Sequence, residues 1–286
     1  MFIIRELRQQ SFPLSDLLAM AGVARSTYYY HAKVELTETP ESDPLMQEIT
    51  VLFAQHKGCY GYRRITLLLR KMGKLVNKKR IQRLMAKQGL CAVVRRRRRY
   101  SSYQGEQGRI AANVLARQFE SAQPNEKWVT DVTEFKVGED KLYLSPLMDL
   151  YNREIVSYTL KRRPTYDLVA EMMSQALAQL PENASPLVHS DQGWHYQHPT
   201  YQHTLAQRGL TQSMSRKGNC LDNAVIENFF GTLKCEMFYI EKFTSIEQLE
   251  QRIREYIHYY NHERIHTKLK GLPPVQYRLQ SSNTTS

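Results

Sequence analysis

Cysteine is scarce and scattered in this chain. There are four in 286 residues, Cys59, Cys91, Cys220 and Cys235, and no two form a CxxC pair. That spacing excludes a zinc ribbon and a disulfide framework, so the four are read as reduced thiols. No apolar run approaches the roughly 20 residues of a membrane-spanning helix. The opening MFIIRELRQQSF has too short an apolar core, and no small-residue cleavage site, for a secretory signal. These absences lead to the expectation of a cytoplasmic protein with no membrane partner. Acidic residues are missing from one long stretch: Lys57 to Arg99 holds sixteen Lys and Arg and no Asp or Glu. With a formal net charge of +12, the rest of the chain nets −4 (12 less 16). Positive charge confined to one segment is the electrostatic footprint expected for nucleic acid.

The length allows one mid-sized core and one or two smaller domains. Leu14 to His31, LSDLLAMAGVARSTYYYH, patterns as two short helices about Gly22, a helix-turn-helix in which Arg25, Ser26 and Thr27 face phosphates or base edges. The bland alternative is a helical hairpin whose tyrosines pack internally. Val34 to Pro44 is acidic and rich in Pro, Ser and Thr, and reads as a linker. Helices follow at Leu45 to Gln55, Tyr62 to Lys71 and Lys78 to Gln88, with Asn77 as N-cap and Gly89 as stop. The last turns Ile81, Leu84 and Met85 inward and carries Lys78, Lys79, Arg80, Arg83 and Lys87 on its polar face. A merely solvated face normally carries acids as well, so this one is assigned to the DNA backbone. Arg95, Arg96, Arg97, Arg98 and Arg99 repel one another, which suits an arm lying on phosphates or a flexible linker.

Near Gln123 the period becomes strand-like. Strands are expected at Lys127 to Val137, Lys141 to Tyr151 and Glu154 to Lys161, then a helix at Asp167 to Leu180. Pro186 to Ser190 reads as a strand, Pro199 to Arg208 as a helix, Leu210 to Ser215 as a strand, and Asp222 to Tyr239 as one long helix. Three antiparallel strands followed by alternating helices and strands is the order of a ribonuclease-H-like α/β core, a mixed five-stranded sheet with helices, here preceded by small all-α units. The expected division is 1–33 helix-turn-helix, 34–44 linker, 45–92 basic helical unit, 93–122 Arg-rich linker, 123–240 core and 241–286 helical tail.

Three acids stand out within that order. Asp131 lies in the first strand, where a charge is costly unless paired, exposed or metal-bound. Asp191 follows the fourth strand, at a strand's carboxyl end. Glu227 sits on the long helix at the edge of an apolar stripe of Ile226, Phe229, Phe230, Leu233 and Met237. Singly each reads as ordinary; together they supply hard oxygen ligands from three elements, as two Mg²⁺ ions in phosphodiester chemistry require. Lys234, two turns after Glu227, is placed on nearly the same face to hold a phosphate. Arg216 and Lys217 sit with Gly218 in a loop expected to be mobile and near DNA.

WVTDVTEF, LVHSDQGWHY and SMSRKGNCLDNAVIENFFGTLKCE, with the tail YYNHERIHTKLKGLPPVQY, closely resemble the DDE transposases of the insertion-sequence-three family, second-reading-frame products related to retroviral integrases. The resemblance spans about residues 44 to 278, and in the tail it falls on Tyr260, Asn261, Arg264, His266 and Leu269. It implies that Asp131, Asp191 and Glu227 are the metal-binding acids and that Lys234 is the basic residue after the glutamate. It further implies two Mg²⁺ per active site, with Mn²⁺ as a substitute. The double-stranded DNA partners implied are the terminal inverted repeats, nicked to expose a 3′-hydroxyl, and the target that it joins. A homo-oligomeric synaptic complex, a first-frame protein or frameshift fusion, and association with the bacterial nucleoid are implied as well.

Two rival readings compete. One is a non-catalytic DNA-binding regulator with a decayed core, against which stand the three acids. The other is a zinc hydrolase, because His262, Glu263 and His266 match H-E-x-x-H. Thr267 to Ser286 offers no third ligand, and only His258, upstream, remains.

Overall fold

The computed structural model describes residues 2–36, 43–93, 110–217 and 219–282. Arg95, Arg96, Arg97, Arg98, Arg99 and Gly218, which the sequence marks for DNA, lie outside the described residues. The chain divides into two units, 1–51 and 52–286.

The first unit holds three helices, α1 (Phe2–Gln9), α2 (Leu14–Ala21) and α3 (Arg25–Leu36). α1 was not anticipated from the sequence, yet Ile4 and Leu7, three apart on one helical face, join Leu17, Leu18 and Tyr28 in a small core. Gly22 ends α2 in the left-handed region, at φ 62°, which makes the tight turn into α3. The tyrosines divide between the two readings: Tyr28 is buried, while Tyr29 and Tyr30 are exposed. Val34, Glu35 and Leu36, expected in the linker, continue α3, because no helix breaker precedes Pro40. α4 (Pro44–Gln55) spans the boundary between the units and opens on a proline, which a first helical turn tolerates.

In the second unit, α5 (Tyr62–Lys71) and α6 (Lys78–Lys87) bury Ile65 and Leu69, and Ile81 and Met85. Asn77 caps α6 by accepting from the Lys79 amide at 2.9 Å, and Gly89 stops it at φ 66°. Lys78, Lys79, Arg80 and Arg83 are exposed.

The core sheet has six strand segments: β1 (Lys127–Thr130), β2 (Thr133–Val137), β3 (Asp140–Asp149), β4 (Ile155–Lys161), β5 (Leu187–Ser190) and β6 (Thr211–Met214). The expected first strand is broken at Asp131 and Val132. β1 and β2 lie end to end along the same edge of β3, antiparallel to it, and β4 pairs its other edge. β5 runs parallel to β1, and β6 parallel to β5. The six segments therefore occupy five lanes, which is the ribonuclease-H-like sheet.

Strand alternation divides the core into two layers. Val129, Phe135, Leu142, Leu144 and Met148 face α10 (Ala224–Leu233) and α11 (Ile246–His262) on one side. Trp128, Leu147 and Val188 face α7 (Tyr166–Gln179) and α9 (Pro199–Gln207) on the other. A short α8 (Trp194–Gln197) precedes α9, and α12 (Pro274–Ser282) packs on α11. The expected single helix from Asp222 to Tyr239 is a 3₁₀ turn at Cys220–Asn223, then α10, then a π-helical segment, Lys234–Phe238.

That π segment turns Glu236 inward, where it organises a buried polar network. Arg264 grips the carboxylate with two prongs, Nε to Oε2 at 2.7 Å and Nη2 to Oε1 at 2.6 Å. Tyr256 donates to Oε2 at 2.9 Å, and Arg64 of α5 reaches Oε1 at 3.4 Å. Burial alone would raise this carboxyl, but the bonds and charges of Arg264, Arg64 and Tyr256 outweigh it and hold the group below its usual range. The network fastens α5 to the core, with the Ile265 amide donating to the Tyr60 hydroxyl at 2.9 Å beside it. Removing one partner strands the other charge. Urea denaturation should show Glu236→Met costing about 3–5 kcal/mol and the double variant Glu236→Met with Arg264→Met costing clearly less; equal losses would mean that the charge pair is not what binds these elements.

Candidate active site

Asp131 and Asp191 are brought together by strand register. β1 pairs β5 in parallel as Lys127 with Leu187, Trp128 with Val188 and Val129 with His189, a constant offset of sixty. Carried to the strand ends, that offset sets Asp131 beside Asp191, each the first residue past its strand. Neighbouring strands lie about 4.8 Å apart. Asn223, just before α10, donates from its side-chain amide to the Thr130 carbonyl at 3.3 Å, which pins the start of the helix to the end of β1. Glu227 lies in the first turn of α10, where the positive end of the helix favours a carboxylate.

Both aspartates keep part of their surface open while being enclosed by protein on most sides, the condition of groups at the floor of a cleft. Burial, then the Asp191 charge and the Glu227 charge, push the Asp131 carboxyl well above its usual range, against the Val132 amide and Lys234. Asp191 is pushed up by burial and is opposed by the Gly193 amide and His195. In each aspartate the backbone fixes one oxygen: the Val132 amide donates to Asp131 Oδ1 at 2.7 Å and the Gly193 amide to Asp191 Oδ1 at 2.9 Å. Oδ2 takes part in neither bond. A Cβ at position 193 would stand 3.0 Å from Asp191 Oδ1, so glycine is what permits this close approach.

The neighbouring groups hold their places through neutral contacts. His195 donates Nε2–H to the Pro164 carbonyl at 2.9 Å, and burial keeps its pKa below the ordinary value. Gln192 donates to the Ser215 carbonyl at 3.0 Å, tying the end of β5 to the chain leaving β6. His189, directly before this turn, shares a 2.9 Å hydrogen bond with the Ser213 hydroxyl, and burial pushes its pKa down to about 4.

Lys234 follows α10 directly and opens the π-helical segment. Its ammonium donates to Thr133 Oγ1 at 2.7 Å and to the Glu134 carbonyl at 3.0 Å, and sits over the Phe135 ring. It therefore fastens the end of α10 to β2 while lending positive charge to Asp131. Arg216 is likewise engaged. Its guanidinium makes two 2.9 Å bonds to Asp222, a carboxylate shut away from solvent that also takes Arg117 at 2.7 Å and Asn113 at 2.9 Å. This hub, absent from the sequence reading, anchors the segment expected to be mobile; its only sequence sign is the Asp-Asn pair before α10. Lys217 is exposed on the same loop. Arg25, Ser26 and Thr27 are exposed at the start of α3 in the other unit.

The zinc reading fails on geometry. α11 ends at His262, Glu263 leaves helical conformation, and His266 lies beyond, its ring 4.9 Å from that of Tyr260. Among the described residues no three His, Cys, Asp or Glu side chains are gathered to hold a metal, at this motif or elsewhere. Asp131, Asp191 and Glu227 thus meet as facing charges rather than as a closed cage. Their chemistry still suits a hard dication: three carboxylates, two of them largely enclosed and raised in pKa, with an Oδ2 on each aspartate outside the backbone bond that fixes Oδ1.

Two acids at the ends of adjacent parallel strands, with a third on the helix pinned to one of them, suit the chemistry of a polynucleotidyl transferase core. Comparison with known proteins agrees. Integrase core domain families match residues 121–220 and 227–281, and an HTH-like domain family matches 40–98. The chain is 50% identical over 281 residues to the putative transposase InsK for insertion sequence element IS150 of Escherichia coli, covering 98% of both chains. It is 31% identical to the transposase InsF for insertion sequence IS3A of the same species, covering 96% of this chain and 97% of that protein. Among solved structures, the HTLV-2 integrase catalytic core domain in complex with magnesium matches with a TM-score of 0.40 at 18% identity, over 55% of this chain and 97% of that one. The chain belongs to the insertion-sequence-three family of transposases, and it is a DNA-binding enzyme of the polynucleotidyl transferase class.

The Asp222 hub has a defined pH response. Arg216 and then Arg117 hold its carboxyl well below the usual range against burial, so the anchor is present at neutral pH. Its contribution is lost as pH falls below the ordinary carboxylate value of about 4. Amide protection factors of residues 215–217 and 219–222, taken against the intrinsic exchange rate at each pH, should be high at pH 7 and fall in acid, and Asp222→Asn should lower them at both; unchanged pH 7 protection in that variant would remove the anchor.

Proposed function

We propose that Asp131, Asp191 and Glu227 hold divalent cations, two Mg²⁺ ions with Mn²⁺ as a substitute, and that this chain nicks and joins DNA at the ends of an insertion sequence. The observation that carries the reading is the register that sets Asp131 beside Asp191 at the start of α10. Bound cations would turn water or a 3′-hydroxyl into a nucleophile and stabilise the departing oxygen. The protein's own contribution is positional. Backbone amides fix one oxygen of each aspartate and so set the direction of the other. Asn223 holds the turn that carries Glu227, and Lys234 fixes the opposite end of the helix against β2.

The DNA is the terminal inverted repeat and its target. The exposed faces of α3, with Arg25, Ser26 and Thr27, and of α6, with Lys78, Lys79, Arg80 and Arg83, supply its contacts. Two ends must be held together for joining, so the working form is an oligomer, with a first-frame protein or frameshift fusion as a further partner. The supporting evidence is chemical: a basic, acid-free segment precedes a carboxylate site suited to hard cations.

Asp131→Asn, Asp191→Asn and Glu227→Gln should each lower Mg²⁺-dependent cleavage of a terminal-repeat duplex by about 100-fold or more, equivalent to roughly 3 kcal/mol. Gel-shift affinity for the same duplex should hold. Cleavage at the wild-type rate in any one variant would sink the assignment.

A further inference from the structure

A second polar cavity, of about 440 Å³, opens beside α10, and the carboxylate site does not use it. Its lining is cationic: Arg64, Arg153, Arg264 and Lys268 contribute, and no Asp or Glu does. Arg64 and Arg264 share the one carboxylate of Glu236, whereas Arg153 and Lys268 make no ion pair among the described residues. Arg153 sits in the β3–β4 turn, donates Nη2 to the Phe119 carbonyl at 3.3 Å, and leaves Nη1 buried with no hydrogen-bond partner in the structure. A buried guanidinium arm without an acceptor is costly, and an anionic oxygen entering the cavity would satisfy it. Asn228 and Thr232, neutral and one turn apart on α10, also line the cavity, the Thr232 hydroxyl donating to the Asn228 carbonyl at 2.8 Å.

The field inside is strongly positive. His266, on the cavity wall, has its pKa pushed down to about 2, first by burial and then by Arg264, Arg64 and Arg153. It therefore stays neutral and adds no charge of its own. By contrast, the smaller cavity lined by Lys57 and Arg252 also holds Glu236, Glu255 and Glu263, and has no such bias.

We infer that this cavity binds a phosphodiester group of the DNA strand whose neighbouring phosphate lies at the carboxylate site. Forked guanidiniums match phosphate oxygens, and the volume admits a nucleotide-sized group. Val225 and Asn228 of α10 line the cavity while Glu227 of the same turn faces the aspartates. A helix is about 10–12 Å across, so one strand can touch both faces within a few nucleotides. The inference rests on the reading of Asp131, Asp191 and Glu227 as the cleavage site.

The test is duplex binding by the full chain without divalent cations, measured by fluorescence anisotropy over 50–300 mM NaCl. Each lost phosphate contact should flatten the slope of log K against log salt by about 0.9. Lys268→Ala changes an exposed side chain and leaves packing alone; Arg153→Met removes the buried arm, with its melting temperature as the control for folding. Both should flatten the slope by about one contact and weaken binding severalfold at low salt. Slopes unchanged in Lys268→Ala and in folded Arg153→Met would overturn the site, even if inorganic phosphate still raises the melting temperature, since the anion would then not be DNA. Because the readout needs no cleavage, a flattened slope in a chain that fails to cut supports the cavity while removing the catalytic reading.

Discussion

Parallel pairing of β1 with β5 places two carboxylates side by side at the ends of neighbouring strands. Like charges about one strand spacing apart in a largely enclosed site oppose their own ionisation. The surrounding structure is arranged around that repulsion. Backbone amides take one oxygen of each aspartate, Lys234 lends a positive charge from the end of α10, and Asn223 fixes the helix that adds a third acid. None of these groups places a positive charge between the carboxylates, and the proposed dication would supply it.

Holding such a site requires rigid support, and buried polar hubs provide it. Asp222 gathers Arg216, Arg117 and Asn113 beneath the loop that leads into α10. Glu236 gathers Arg264, Tyr256 and Arg64 at the helix's other end. The second hub also links the basic helices to the core within the larger unit, so the face proposed to meet DNA and the site proposed to cut it are built on one scaffold.

Much of this was legible from residue order. Period-2 and period-3.6 patterns located the core strands and most helices, because those elements bury one face each. Asp131, Asp191 and Glu227, each ordinary alone, stood out as an ordered set on strand, strand and helix. The break after Thr130 was not legible, since Asp131 and Val132 leave the ladder for a tertiary reason, the facing of Asp191. Nor was the π segment, which keeps helical composition while shifting phase at Lys234. Arg216 looked like a free DNA contact because a sequence cannot show that a buried Asp222 waits six residues away. The HERIH match misled for the same reason: helix α11 stops between the two histidines.

Asp131, Asp191 and Glu227 are proposed to act as one cation-binding unit. Electron paramagnetic resonance of Mn²⁺ with the full chain and a terminal-repeat duplex tests it most directly. Saturable binding by the wild type, weakened at least about tenfold by each of Asp131→Asn, Asp191→Asn and Glu227→Gln, is the predicted result. Wild-type Mn²⁺ affinity in all three variants would contradict it.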